Sequence, residues 1–180
     1  TSSYTSNQIS CRYGNGDGTF ESSLHSLQAD SNPSTPIVVA DFNNDGNMDL
    51  AVGNFGSDNI SIFYNNGNGG YNAAINYAAG DGPEGLSGAD VNGDGNVDLI
   101  VSNYNAGTVA VTLSNGNGTF QSPVAYAVGG TAGSLPYLSE LADLDGDGNL
   151  YIVVGNAGSS NISVLLGNGN GTFDPAVDYA

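Results

Sequence analysis

The apolar residues fall in short runs separated by stretches of Gly, Asn, Asp and Ser. Ile37-Val38-Val39-Ala40 is continuous and apolar, and Leu50-Ala51-Val52-Gly53 repeats that character. Runs this short, rich in β-branched residues, predict strands buried on both faces. The next segment alternates, with Ile60, Ile62 and Tyr64 on one side and Ser61 and Phe63 on the other. Val109, Val111, Leu113 and Ile162, Val164, Leu166 reproduce the alternation. A period of two predicts a strand with one face in a core. Asn65-Asn66-Gly67-Asn68-Gly69-Gly70 supplies residues tolerant of positive φ, hence a hairpin connection. A fourth, more polar strand from about Tyr71 to Tyr77 is expected outermost.

The pattern recurs. Gly18-Thr19-Phe20, Gly70-Tyr71, Gly118-Thr119-Phe120 and Gly171-Thr172-Phe173 mark one turn whose aromatics are 51, 49 and 53 residues apart. Tyr77, Tyr126 and Tyr179 each follow the aromatic by six positions. Four strands per period, grading from apolar to polar, describe a β-propeller blade. The chain is therefore expected to be all-β, with about three and a half tandem four-stranded blades in an open or incomplete propeller. The units expected are a partial blade of outer strands at 1–36, then blades at 37–84, 85–135 and 136–180. Gln8 to Tyr13 aligns with Asn161 to Leu166, the third strand, and residues 1–6 are read as a remnant of the second. Pro83 and Pro136 are placed in the links between units.

Propellers close with four to eight blades, so this count leaves apolar faces bare and strand edges open. Two partners are expected for those ends: further repeats of a longer parent chain, or copies of this chain stacking into an oligomer or head-to-tail filament. The chain begins at Thr1 rather than Met, which is read as processing or as a piece of something longer.

Charge adds a second periodic signal. Of 18 acidic residues, nine sit in three loops beginning at Asp41, Asp90 and Asp143. The loops read Asp41-Phe-Asn43-Asn-Asp45-Gly46-Asn47-Met-Asp49, Asp90-Val-Asn92-Gly-Asp94-Gly95-Asn96-Val-Asp98 and Asp143-Leu-Asp145-Gly-Asp147-Gly148-Asn149-Leu-Tyr151. Hard oxygen donors at positions 1, 3 and 5 with glycine at 6 are the pattern of a Ca²⁺ loop, because crowded carboxylates repel unless a cation neutralises them. An EF-hand is excluded: position 12 is Val52, Val101 or Val154, not glutamate, and strands flank the loop. Net charge is −17, with Arg12 the sole basic residue of the Lys/Arg class. Nucleic acid and anionic membrane surfaces are excluded as electrostatic partners. The 28 glycines and 24 asparagines favour turns over helices. The single Cys11 allows no intrachain disulfide and is read as a small, buried or half-buried hydrophobe, with an intermolecular bridge as the minor reading.

Val39 to Val52, through Asp41, Asp45, Gly46 and Asp49, resembles the FG-GAP/VCBS repeat of extracellular β-propellers, a group that includes integrin α-subunits and fungal propeller lectins. The resemblance covers nearly all of 8–180. It implies Ca²⁺ held by side-chain oxygens at loop positions 1, 3, 5 and 9 and the carbonyl at 7. In the first loop these are Asp41, Asn43, Asp45, Asp49 and the carbonyl of Asn47; in the second, Asp90, Asn92, Asp94, Asp98 and the carbonyl of Asn96. In the third, Asp143, Asp145, Asp147 and Asn149 match, but Tyr151 replaces the last aspartate, so that site is expected to be weaker, completed by water or empty.

The leading expectation is a non-enzymatic, secreted or cell-surface module with a structural or adhesive role. A carbohydrate-binding propeller is the alternative, with Tyr104 and Tyr137 as candidate platforms. A glycoside-active enzyme comes third, since no carboxylate pair stands out beyond the loops and the only histidine, His25, lies on a polar strand. Asn59, Asn117, Asn161 and Asn170 head N-x-Ser/Thr sequons in predicted turns, so at least one is expected to carry sugar in a eukaryotic source.

Overall fold

A computed structural model describes residues 2–3, 7–130 and 133–180. Among these there is no helix; fifteen strands form four antiparallel sheets, each a meander of sequence neighbours. The first sheet has three strands, β1 (Ser2–Ser3), β2 (Gln8–Cys11) and β3 (His25–Gln28). The second has four: β4 (Pro33–Ala40), β5 (Asp49–Asn54), β6 (Asn59–Phe63) and β7 (Ile75–Ala78). The third comprises β8 (Pro83–Ala89), β9 (Asp98–Asn103), β10 (Thr108–Thr112) and β11 (Val124–Ala127). The fourth comprises β12 (Pro136–Ala142), β13 (Tyr151–Asn156), β14 (Asn161–Leu165) and β15 (Val177–Tyr179). These are the blades of an open propeller segment.

The sheets stack face to face through three cores. Ile9 of the first sheet and Ala29 just after it meet Leu50, Val52 and Phe63 of the second. Phe42, Ile60 and Ile62 meet Leu86, Leu99 and Val101. Ile100, Val109 and Val111 meet Ile152, Val154 and Leu165. A sheet between two others has both faces covered, so β5 and β9 are buried along their whole length. β13 has the same apolar character but alternates, because only one of its faces has a neighbour.

Several sequence expectations shift. The innermost strand begins at Pro33, Pro83 and Pro136, so the unit starts move from 37 and 85 to 33 and 83, and these prolines are strand residues rather than links. Each precedes a register shift in the ladder, a place where proline's missing N–H costs nothing. The innermost run is not buried on both faces, since Val39, Tyr137 and Leu138 stand exposed. The outermost strand is shorter than expected: Tyr71 makes only an isolated bridge to Asn65, and regular pairing starts at Ile75. Ser2–Ser3 does pair with β2 in the place of a second strand; the rest of that remnant falls outside the described residues. Cys11 is a half-buried free thiol whose Sγ donates to the His25 carbonyl at 3.8 Å.

Candidate metal loops and relatives

Each candidate loop joins the innermost strand to the next, so all three emerge from the same end of their blades. The first two loops touch: Asn44 Nδ2 donates to Asn96 Oδ1, and also to the Gly116 carbonyl, both at 2.9 Å. Position 6 has φ of 86°, 86° and 92° at Gly46, Gly95 and Gly148. Only glycine adopts that left-handed turn without strain, and the turn folds the backbone around the first carboxylate. Gly46 N donates to Asp41 Oδ2 at 2.8 Å, Gly95 N to Asp90 Oδ2 at 2.8 Å, and Gly148 N to Asp143 Oδ2 at 3.0 Å.

The position-5 aspartates are held by position 7. Asn47 donates its backbone N–H and its side-chain Nδ2 to Asp45 Oδ1, both at 2.8 Å; Asn96 does the same to Asp94 at 2.8 and 2.9 Å. These donors, backbone N–H first, hold the Asp45 and Asp94 carboxyls below the usual carboxylate value. Asn43 and Asn92 add an N–H from position 3, each at 3.0 Å. In the third loop the N–H groups of Gly146 and Gly148 lower the Asp143 carboxyl. Asn149 donates to Asp147 Oδ2 at 2.8 Å.

Position 9 has a role that the sequence reading missed. Asp49 and Asp98 are fully buried. Asp49 accepts Phe42 N at 3.0 Å on one oxygen and Asn65 N at 2.8 Å on the other. Asp98 accepts Val91 N at 3.1 Å and Ser114 N at 2.8 Å. Each thus clamps its own loop to the hairpin after the third strand. Burial pushes both carboxyls up despite these donors. At Tyr151 the phenol instead donates to Asp145 Oδ2 at 2.9 Å, and that bond holds the hydroxyl proton to about 12.

The donor chemistry fits a hard divalent cation. Among the described residues, Asp143, Asp145 and Asp147 form one group of three carboxylates with oxygens within 4.8 Å of one another, all exposed. In the first two loops an asparagine amide stands where Asp145 stands. The buried oxygens of Asp49 and Asp98 each receive one N–H, and a carboxylate oxygen has a second lone pair to offer. Asp41, Asn43, Asp45, Asn47 and Asp49 would hold the ion in the first loop, with Asp90, Asn92, Asp94, Asn96 and Asp98 in the second and Asp143, Asp145, Asp147 and Asn149 in the third.

The two sets of aspartates titrate in opposite senses. Asp49 and Asp98, raised above the unfolded value of 3.8, oppose folding at neutral pH, and that opposition fades as pH falls through their folded values. Asp45, Asp94 and Asp143, lowered, stabilise the fold above 3.8 and lose that contribution as pH falls through their folded values. Chelator-treated protein should therefore melt highest on the acid side of neutrality. A melting temperature that falls steadily from pH 7 to pH 4 would contradict this assignment.

The remaining candidates separate clearly. Asn59 and Asn161 are not in turns: they open β6 and β14, and their amides are engaged by Asn54 and Asn156. Asn117 and Asn170 are exposed turn residues whose Oδ1 accepts from the sequon threonines, Thr119 and Thr172. Tyr104 lies edge-on to Tyr137 at 6.5 Å and tilted against Phe55 at 6.3 Å, an aromatic row across three blades. A cleft of about 380 Å³ between the last two blades is lined by Gly107, Thr108, Val128, Gly130 and Asp178. His25 is paired with Glu21 at 2.7 Å.

In comparison with solved structures, the chain superposes on virginiamycin B lyase from Staphylococcus aureus with a TM-score of 0.62 at 14% identity, covering 98% of this chain and 49% of that one. It superposes equally well, at 0.62 and 25% identity, on an Agrocybe aegerita lectin described for specific recognition of non-reducing terminal N-acetylglucosamine, covering 96% of this chain and 46% of the lectin. The chain spans about half the length of each. No curated protein matches it by sequence. The FG-GAP-like repeat matches three times, at 2–52, 41–101 and 90–154, each of the last two running from one acidic loop past the next. By these matches, which span most of its length, the chain belongs to the FG-GAP-like repeat family.

Proposed function

We propose that this chain is a calcium-stiffened, extracellular repeat module with a structural or adhesive role rather than a catalytic one. The observation that carries the reading is the recurrence of an exposed carboxylate loop at one end of every complete blade, with the first two loops hydrogen-bonded through Asn44 and Asn96. When bound, Ca²⁺ supplies positive charge to a chain of net charge −17. The protein's part is to pre-arrange the oxygens: glycine turns set position 1, the position-7 amides set position 5, and the ninth-position clamps tie the loops to the core. Extracellular calcium modules bind at roughly 10⁻⁴–10⁻³ M.

Tenfold saturation of one site adds about 1.4 kcal/mol to stability. With the first two sites filled the melting temperature should rise by about 8 °C when millimolar Ca²⁺ replaces chelator, since 1 kcal/mol moves a domain of this size by about 2–4 °C. Differential scanning fluorimetry checks this, and Mg²⁺ should do less because its rigid octahedral demand suits these loops poorly. Equal melting in chelator and in millimolar Ca²⁺ would rule the reading out.

A second reading, carbohydrate binding, is favoured by the similarity to the Agrocybe aegerita lectin over 96% of this chain. The cleft beside Thr108 and Asp178 and the exposed face of Tyr137 offer hydrogen-bonding and stacking groups of the kind a sugar needs. A glycan array including terminal N-acetylglucosamine separates the two readings. Asn117 and Asn170 are the sequons whose placement suits attached sugar.

A further inference from the structure

The first two acidic loops lean on one hairpin. The turn between β10 and β11 is closed by Asn115 N, which donates to the Thr119 carbonyl at 2.9 Å. Within its own blade, Ser114 N donates to Asp98 Oδ1 of the second loop at 2.8 Å. Toward the preceding blade, Gly118 N donates to the Phe42 carbonyl of the first loop at 3.1 Å. A Cβ at Gly118 would stand 3.3 Å from the Asn43 Cβ, so the turn also backs position 3 of the first loop.

Asn44 adds a side-chain link across the same gap. Its Nδ2 donates to the Gly116 carbonyl and to Asn96 Oδ1, both at 2.9 Å. Asn96 in turn donates Nδ2 to Asp94 Oδ1 at 2.9 Å. A carbonyl and an ionised carboxylate only accept, which fixes the orientation of both amides. The relay therefore runs from position 4 of one loop to the position-5 oxygen of the next. Position 116 requires glycine, because a Cβ there would collide with Asn96 Oδ1 and crowd Asn44 Nδ2 at 3.0 Å. Asn44 holds φ at 58°, a left-handed conformation in which asparagine is enriched over other non-glycine residues. At position 4 of the other loops stand Gly93 and Gly146, with φ of 75° and 82° and no side chain to reach a neighbour. The hairpin at Gly171 backs the second loop in the same way, Gly171 N donating to the Val91 carbonyl at 3.1 Å. The amide bridge, however, joins only the first pair.

We infer that the first two loops take up calcium cooperatively, with Asn44 as the positioning residue that passes the order of one loop to the other. The inference rests on the calcium reading above and names how those sites are regulated. With the first loop closed on an ion, residues 41–49 are fixed and Asn44 with them. Asn44 then holds the Asn96 amide that aims Asp94. The freedom of the Asn44, Gly116 and Asn96 contact is lost once, at the first uptake, so the second loop binds more tightly. By linkage the effect is reciprocal. Repulsion between the two ions opposes it, but that repulsion is the same with or without the Asn44 side chain and is screened beyond about 8 Å at physiological salt.

Isothermal titration with calcium chloride in about 0.15 M salt tests this. Every protein carries Asp147→Ala to silence the third loop. Adding Asp45→Ala leaves the second loop alone, adding Asp94→Ala leaves the first, and comparison with the two-loop protein gives the coupling factor. All three aspartates and Asn44 are exposed, so far-UV circular dichroism should stay unchanged. The coupling factor should be about fivefold or more, and Asn44→Gly should bring it within about twofold of unity. Single-loop affinities are measured with and without Asn44→Gly, so a merely weakened first loop is not mistaken for lost coupling. A factor at or below one, or a factor indifferent to Asn44→Gly, would overturn the inference and leave the calcium reading standing. No calcium uptake by the unsubstituted chain would overturn both.

Discussion

Asp98→Ala should lower the stability of the fold by about 4 kcal/mol, and it should do so in chelator as well as in calcium. The substitution strands two buried donors, Val91 N and Ser114 N, at about 1–3 kcal/mol each. Both bonds are charge-assisted, which places their loss toward the upper part of that range. Asp98→Asn keeps one acceptor but turns an NH₂ toward the other N–H, so it should fall between alanine and the native residue. Urea unfolding in excess chelator makes the measurement. If the loss disappears when calcium is removed, Asp98 acts only through the cation and the clamp has no weight of its own. Asp49 is bound in the same way and should behave alike.

Phe42→Ala should cost about 3–5 kcal/mol, the range for deleting a buried aromatic. Phe42 is fully buried, stacks edge-on with Phe120 and belongs to the core between two blades. The informative control is Leu144→Ala, the same repeat position two blades later, in the last blade. It should change the stability of this chain by no more than about 0.5 kcal/mol, because Leu144 faces solvent. Denaturation of both variants at low micromolar concentration provides the check. Equal costs at the two positions would mean that burial by the neighbouring blade is not what gives Phe42 its weight.

The period of about 50 residues was legible because two unrelated signals carry it, the acidic loops and the Gly-Thr-Phe turns. The meander was legible from alternation, which set the third strand of each blade by Ile60, Val109 and Ile162. What alternation could not reveal is whether the apolar side of a strand has a partner: Ile60 and Ile162 sit at equivalent positions, yet one is buried and the other is not. A strand's own residues state a preference for burial, and the neighbouring sheet grants it. Asn59 and Asn161 were misplaced for a related reason. Their turn-like composition was read locally, whereas hydrogen bonds from Asn54 and Asn156 draw them into strands.

The loops show the same division at one residue's scale. Oxygen donors at alternate positions and the glycine at position 6 follow from local chemistry, since a glycine at φ near 86° needs no distant contact to be required. The inward turn of Asp49 and Asp98 needs the hairpin at Asn65 or Ser114, sixteen residues away, to offer an N–H. By itself, then, the sequence determined the repeat, the strand order within a blade and the oxygen-rich loops, because each depends on residues close along the chain. The tertiary structure alone decided which apolar faces are covered and which carboxylates serve as clamps, because each depends on groups that packing brings into reach from elsewhere in the chain.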